Sequence, residues 1–283
     1  MATLRHIRRK IQSIKSTQTI TNTMKMVSAS KLRRAQEEFE RVGLYARRME
    51  GLVRDVLRAM PEVYHPLLKE RDAKRALLFA CASDRGLCGA FNMNVAARVE
   101  RFLSEAPYES VSLYLFGRKI RDYFRRRGAS IVGECVDVRK VEMELASSIS
   151  GRLMEVFLSG EFDAVFLTYT HFLSPLKQEV ILESLLPLKI GVEGGGLEYL
   201  FEPPAYEVLS ALLPKYVTTK LYYALIDSST SEHAARMNAM ENATDNCAKL
   251  LENLTLLFNK TRQEGITKEM MDIVGGAEAL RER

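Results

Sequence analysis

From Leu4 onward, a strict 3,4 spacing picks out Leu4, Ile7, Ile11, Ile14, Gln18, Thr21, Lys25, Ser28, Leu32, Ala35, Phe39, Val42, Ala46, Met49, Val53, Val56 and Met60, and thirteen of these seventeen are apolar. This is the narrow a/d seam of a coiled coil rather than the broader stripe of a globular helix. The first proline of the segment is Pro61. Gly43 and Gly51 each cost a helix about 1 kcal/mol against Ala, so the pattern needs a partner to hold it. A second seam runs through Met237, Met240, Thr244, Cys247, Leu251, Leu254, Phe258 and Thr261. Past the polar stretch Thr261 to Gly265, the apolar positions restart out of phase at Ile266, Met270, Ile273, Ala277 and Leu280, so the last turns face something else. Pro203 and Pro204 suit a helix start, Pro214 a kink in the first turns, and Ser229 to Glu232 spells a capping box that allows a break.

Between the seams the texture changes. Strand-like runs at about 76–83, 111–116, 130–136, 163–170 and 179–186 alternate with helix-like runs near 92–104, 118–127 and 144–159. Such alternation predicts an α/β sheet domain. The expected fold is therefore α/β, with N- and C-terminal helices (1–60 and 205–283) forming an antiparallel coiled-coil rod and a central Rossmann-like sheet domain at 75–200. A helix of about 54 residues spans roughly 80 Å, several times the radius of gyration of about 19 Å for a compact chain of this size.

Composition narrows the reading. A 283-residue chain that is 47% hydrophobic and 27% charged can bury a core, and it has no apolar run of membrane-spanning length. Its four cysteines show no CxxC spacing, and the default compartment is a reducing cytoplasm. Residues 1–36 hold nine Lys or Arg and no acid. That bias also fits a transit peptide, but these residues begin the regular seam.

The sharpest local motif is "ASDRGLCGAFNMN", where a strand meets a glycine-containing turn and then a helix. Phosphates bind at such junctions, but neither GxxxxGK[ST] nor GxGxxG is present. In the plainer reading, Asp84 and Asn92 cap or turn the backbone, Gly86 and Gly89 supply unusual dihedrals, and Arg85 pairs locally. His6, His65, His171 and His233 are dispersed, without ligand spacing, and no catalytic constellation stands out. The alternatives are a nucleotide-binding α/β enzyme with a coiled-coil dimerisation arm, or a basic coiled-coil nucleic-acid binder.

Three segments carry a family resemblance: "IRRKIQSIKSTQTITNTMKMVSASKLRRAQ", "SDRGLCGAFN" and "ARMNAMENATDNCAKLLENLTLLFNKTRQEGITKEMMDIVGGAEAL". With "YLFEPP" and "LLPKYV", they resemble, in order along the whole chain, the gamma subunit of the F-type proton-translocating ATP synthase. The resemblance implies a rotor shaft standing in a hexamer of alpha and beta subunits, with an α/β foot that sits with epsilon on the ring of c subunits. It implies no cofactor, no catalysis, no nucleic acid, and a peripheral position on the cytoplasmic face of the cell membrane, held there only through the complex. By the same resemblance, Met24, Lys25, Arg33, Arg236, Arg262 and Gln263 face the alpha/beta hexamer, and Tyr199 and Glu202 approach the c-ring and epsilon. The chain lacks the dithiol insertion of the redox-regulated chloroplast members, so thiol control is not expected. The seam itself softens at Gln18, Thr21, Lys25 and Ser28. Two readings stand: adaptable contacts to successive beta subunits, or polar pairs that fix helix register.

Overall fold

The computed structural model describes residues 4–59, 64–72, 74–191 and 201–281. In chain order the elements are α1 (Leu4–Ala59), β1 (Arg75–Cys81), α2 (Phe91–Glu105), β2 (Ser110–Phe116), α3 (Arg118–Arg125), β3 (Ile131–Cys135), α4 (Met143–Leu158), β4 (Ala164–Phe172), β5 (Gln178–Leu186) and α5 (Ala205–Arg281). The mixed α/β class and the long terminal helices match the sequence pattern.

Two compact units share the long helices: one joins the stretches up to Val27 and from Ala239 onward, and the other spans Ser28–Asn238. In the larger unit the sheet order is β3-β2-β1-β4-β5. The first four strands run parallel and β5 antiparallel at the edge. Central β1 is buried on both faces, which is why it reads as an unbroken apolar run. Its period of two sends Leu77, Phe79 and Cys81 into the core shared with α1, α4 and α5, and Leu78 and Ala80 into the core under α2 and α3.

The smaller unit is an antiparallel helix pair. The Thr21 and Thr244 hydroxyls lie 2.8 Å apart and Lys25 Nζ donates to Glu241 at 2.6 Å, so α1 and α5 run in opposite directions. The described seam positions of α1, Leu4 through Val56, are all buried or half-buried, as are Met237 through Thr261 on α5. From the Thr21–Thr244 match, stepping back 17 residues to Leu4 reaches Thr261 on α5. Leu4 is the first described residue of α1, and past Thr261 the side chains of Ile266, Met270, Met271, Ile273 and Val274 are exposed. The out-of-phase restart is thus a face without a helix against it among the described residues.

Two of the four polar seam residues meet polar partners: Thr21 meets Thr244 and Lys25 meets Glu241. Matched pairs of this kind favour register-setting over softening, because a one-heptad slip would put each hydroxyl or ammonium against an apolar knob. Thr21→Val or Thr244→Val alone is expected to lower the stability of the free chain by about 1 kcal/mol, with the double variant within about 0.5 kcal/mol of wild type. Urea unfolding of the four chains measures this; additive losses would show that the two hydroxyls are not coupled.

Two details correct the sequence reading. Helix α5 passes through Ser229–Glu232 without a break. The Glu232 carboxylate, which a capping box would turn back toward Ser229 N–H, instead accepts from Arg236 one turn on, and the neighbouring Ser231 Oγ donates to Thr170 O. Gly43, read as a cost to α1, is a close-packing site, since a Cβ there would sit 3.3 Å from the Tyr223 ring of α5.

Candidate partner-binding surface

The turn after β1 is built from side-chain to backbone bonds. Asn92 Oδ1 accepts from Ser83 N–H (3.0 Å) and lies 2.9 Å from Ser83 Oγ, tying the end of the strand to the first turn of α2. Asp84 receives the Arg118 N–H at 2.8 Å and the Val138 N–H at 3.0 Å. Arg118 opens α3, and its side chain pairs with Asp137. The Asp84 carboxylate therefore caps the first turn of α3 and ties it to the loop at Val138, while the N-terminus of α2 is left uncapped by side chains. Gly117 makes the approach possible: its φ is +101°, and a Cβ would lie 2.3 Å from Ala82 O.

The expected dihedral roles are partly redistributed. Gly89 has φ 60°, as anticipated, but the second left-handed residue is Leu87 at 63° rather than Gly86. Local pairing of Arg85 is not found: its carbonyl accepts from Ser83 Oγ, while its side chain is exposed.

Helix α5 closes over this turn. Arg236 is only 8% exposed; its Nη2 donates to Glu232 at 2.7 Å, and its Nε donates to Gly86 O at 3.3 Å. Burial pushes the Glu232 carboxyl above its ordinary range, and the Arg236 guanidinium pulls it back. Burial, with help from Arg236 and Lys31, drives His233 down to about 4, so its imidazole is neutral at pH 7. Cys81 is driven up to about 12 by burial, and Cys88 also rises, so both are inert thiols.

The residues anticipated at partner surfaces are distributed as follows. In the smaller unit Met24 and Lys25 are half-buried, Lys25 holding Glu241, while Arg262 and Gln263 are exposed. In the larger unit the Arg33 side chain is 86% exposed beside Glu37, and Glu202 is exposed. Arg236 alone among the described ones is buried. Tyr199 lies outside the described residues. Sequence reasoning passed over Leu87, a left-handed, 62% exposed apolar residue at the tip of the turn. The signal was there: a leucine set one residue after Gly86 in an otherwise polar turn. Among the described residues no three His, Cys, Asp or Glu side chains converge as metal ligands.

The family model described as ATP synthase matches residues 3–280. A curated "ATP synthase gamma chain" from Pelotomaculum thermopropionicum is 43% identical over 284 residues, covering 99% of this chain and all of the relative. The chain belongs to the ATP synthase gamma chain family. Another gamma chain, from Anaeromyxobacter sp. (strain Fw109-5), is 44% identical over 290 residues with 99% of this chain covered. A chain in the Euglena gracilis mitochondrial ATP synthase, resolved with OSCP, F1 and c-ring, has the same fold: TM-score 0.71 at 20% identity, covering 99% of this chain and 95% of that one. A chain of the Tetrahymena thermophila mitochondrial ATP synthase central stalk and c-ring gives a TM-score of 0.63 at 26% identity, covering 79% of this gamma-family chain and 99% of its counterpart.

Proposed function

We propose that this chain is the central rotor shaft of an F-type ATP synthase, coupling proton flow through the c-ring to ATP synthesis on the alpha/beta hexamer. The observation that carries the reading is family membership across almost the entire length, residues 3–280. The helix pair supplies the shaft, and the sheet region at 75–200 supplies the foot that meets epsilon and the c-ring. The chain is non-catalytic: it transmits torque while its partners bind nucleotide. No helix among the described residues is long and apolar enough to cross a membrane. The assembly holds the chain at the cytoplasmic face of the cell membrane, peripherally.

In this reading Met24, Lys25, Arg33, Arg262, Gln263 and, through the turn it braces, Arg236 serve the alpha/beta contact, and Tyr199 and Glu202 the c-ring and epsilon contact. Arg262 gives the cleanest test because it is exposed in the chain alone. Arg262→Ala is expected to change the stability of the free chain by no more than about 0.5 kcal/mol. In the reconstituted complex it should lower ATP-driven proton pumping by about twofold or more through loss of a charged interface contact. Proton pumping in vesicles and thermal unfolding of the free subunit measure the two effects; equal loss in both would make Arg262 a structural residue.

A further inference from the structure

Strand β4 outruns its parallel neighbour. Its pairing with β1 stops at Thr168, opposite Ala80, while its pairing with β5 continues to Phe172. From Thr170 onward, the edge that β1 leaves open must find other partners for its backbone groups. Thr170 and Phe172 are two apart, so their backbone groups point to the same side of the strand.

Helix α5 takes that edge with side chains. Ser231 Oγ donates to Thr170 O at 3.0 Å, and Asp227 Oδ1 accepts from Phe172 N–H at 2.7 Å. Residues 227 and 231 lie one turn apart on one helix face. The Asp227 carboxylate is fully buried, and its second oxygen lies 2.6 Å from His171 Nδ1. Phe39 of α1 closes the cluster, its ring 6.5 Å from His171, 6.1 Å from Phe172 and 5.4 Å from Tyr223 of α5. Past the strand, Asn238 Nδ2 donates to Pro175 O at 2.5 Å.

Apolar helix-on-sheet packing resists separation but is non-directional, so it resists sliding and rolling weakly. Hydrogen bonds to a strand backbone are directional and fix the helix in both translation and rotation. Burying a full carboxylate for this purpose is costly unless its partners hold it, and here both oxygens have one.

We propose that Asp227, Ser231 and His171 are positioning residues that form a torsional lock between α5 and the sheet. They act as a surrogate strand that lets twist pass between helix and sheet without slip. The assignment rests on the rotor reading above. It requires the lock to govern stiffness, beyond its effect on stability.

The test uses the assembled complex with its alpha/beta hexamer fixed to a surface and a bead attached through Val132→Cys, an exposed position on β3 at the far end of the sheet. Angular fluctuation of the bead during a dwell reports torsional stiffness. Two variants are compared: Asp227→Ala, and Ser231→Ala combined with His171→Leu. The second leaves Asp227 to satisfy Phe172 N–H, so it remains informative if the first fails to fold. A core truncation on the other face of the sheet, Val99→Ala, serves as the control for lost stability. The lock predicts a fall in stiffness of about twofold or more in the joint variants, and wild-type stiffness in Val99→Ala even where its thermal midpoint falls as far. Wild-type stiffness in the joint variants, or equal softening in Val99→Ala, overturns the lock while leaving the rotor reading intact. A wild-type complex whose bead never turns with ATP overturns both.

Discussion

Arg236→Ala is expected to lower the unfolding free energy of the free chain by about 3 kcal/mol, an effect far larger than loss of a surface contact. The substitution leaves Glu232, held under α5 against the turn after β1, without its cation, and frees Gly86 O of a donor. Neutralising the stranded acid should undo much of this, so Arg236→Ala with Glu232→Gln is expected to recover at least half of the loss. Acid should do the same. Burial raises the Glu232 carboxyl, so the folded state takes up a proton at a higher pH than the unfolded chain does. As pH falls from 7 toward 5, protonation then favours the folded form, and the deficit of Arg236→Ala should shrink. Relief of His233 acts in the same direction, since Arg236 is one of the groups holding it down. Chemical unfolding of wild type, Arg236→Ala, Glu232→Gln and the double variant at both pH values measures these effects. A variant that unfolds like wild type but uncouples the complex would return Arg236 to the partner surface.

The contrast between Arg236 and Arg262 shows what sequence alone carried. Both are arginines of the C-terminal helix, named from the same resemblance, yet one is buried and the other exposed. The difference lies in Gly86, 150 residues away, which no local pattern reveals. Where a signal is periodic and local, it was legible: the 3,4 seam matches the buried positions of both long helices, and the expected strands agree with β1 to β5 to within a few residues. Where the deciding partner is distant, it was not. The polar seam residues were visible as exceptions, but their matches at Thr244 and Glu241 required the pairing. Helix α5 likewise runs unbroken through Ser229–Glu232, where Ser231 bonds to Thr170 of β4, a partner that no local pattern reveals.

Asp84 holds the N-terminus of α3, and its removal should open that position to an anion. Asp84→Ala deprives Arg118 N–H and Val138 N–H of a charged acceptor, at an expected cost of about 2 to 4 kcal/mol. The vacated position lies at the N-terminus of α3, where the helix field and an unpaired N–H favour an anion, and Gly117 keeps the approach open. Inorganic phosphate should therefore restore part of the loss, by about 1.4 kcal/mol at ten times its dissociation constant. Phosphate also stabilises proteins generally by exclusion from their surface, so the wild-type chain measured in the same buffer sets the baseline. A gain confined to Asp84→Ala, and absent in chloride of equal ionic strength, would show that the N-terminus of α3 is an anion position already filled by the chain's own carboxylate. Equal gains in both chains would mean that Asp84 only braces the turn, and that the first turn of α3 has no anion preference of its own.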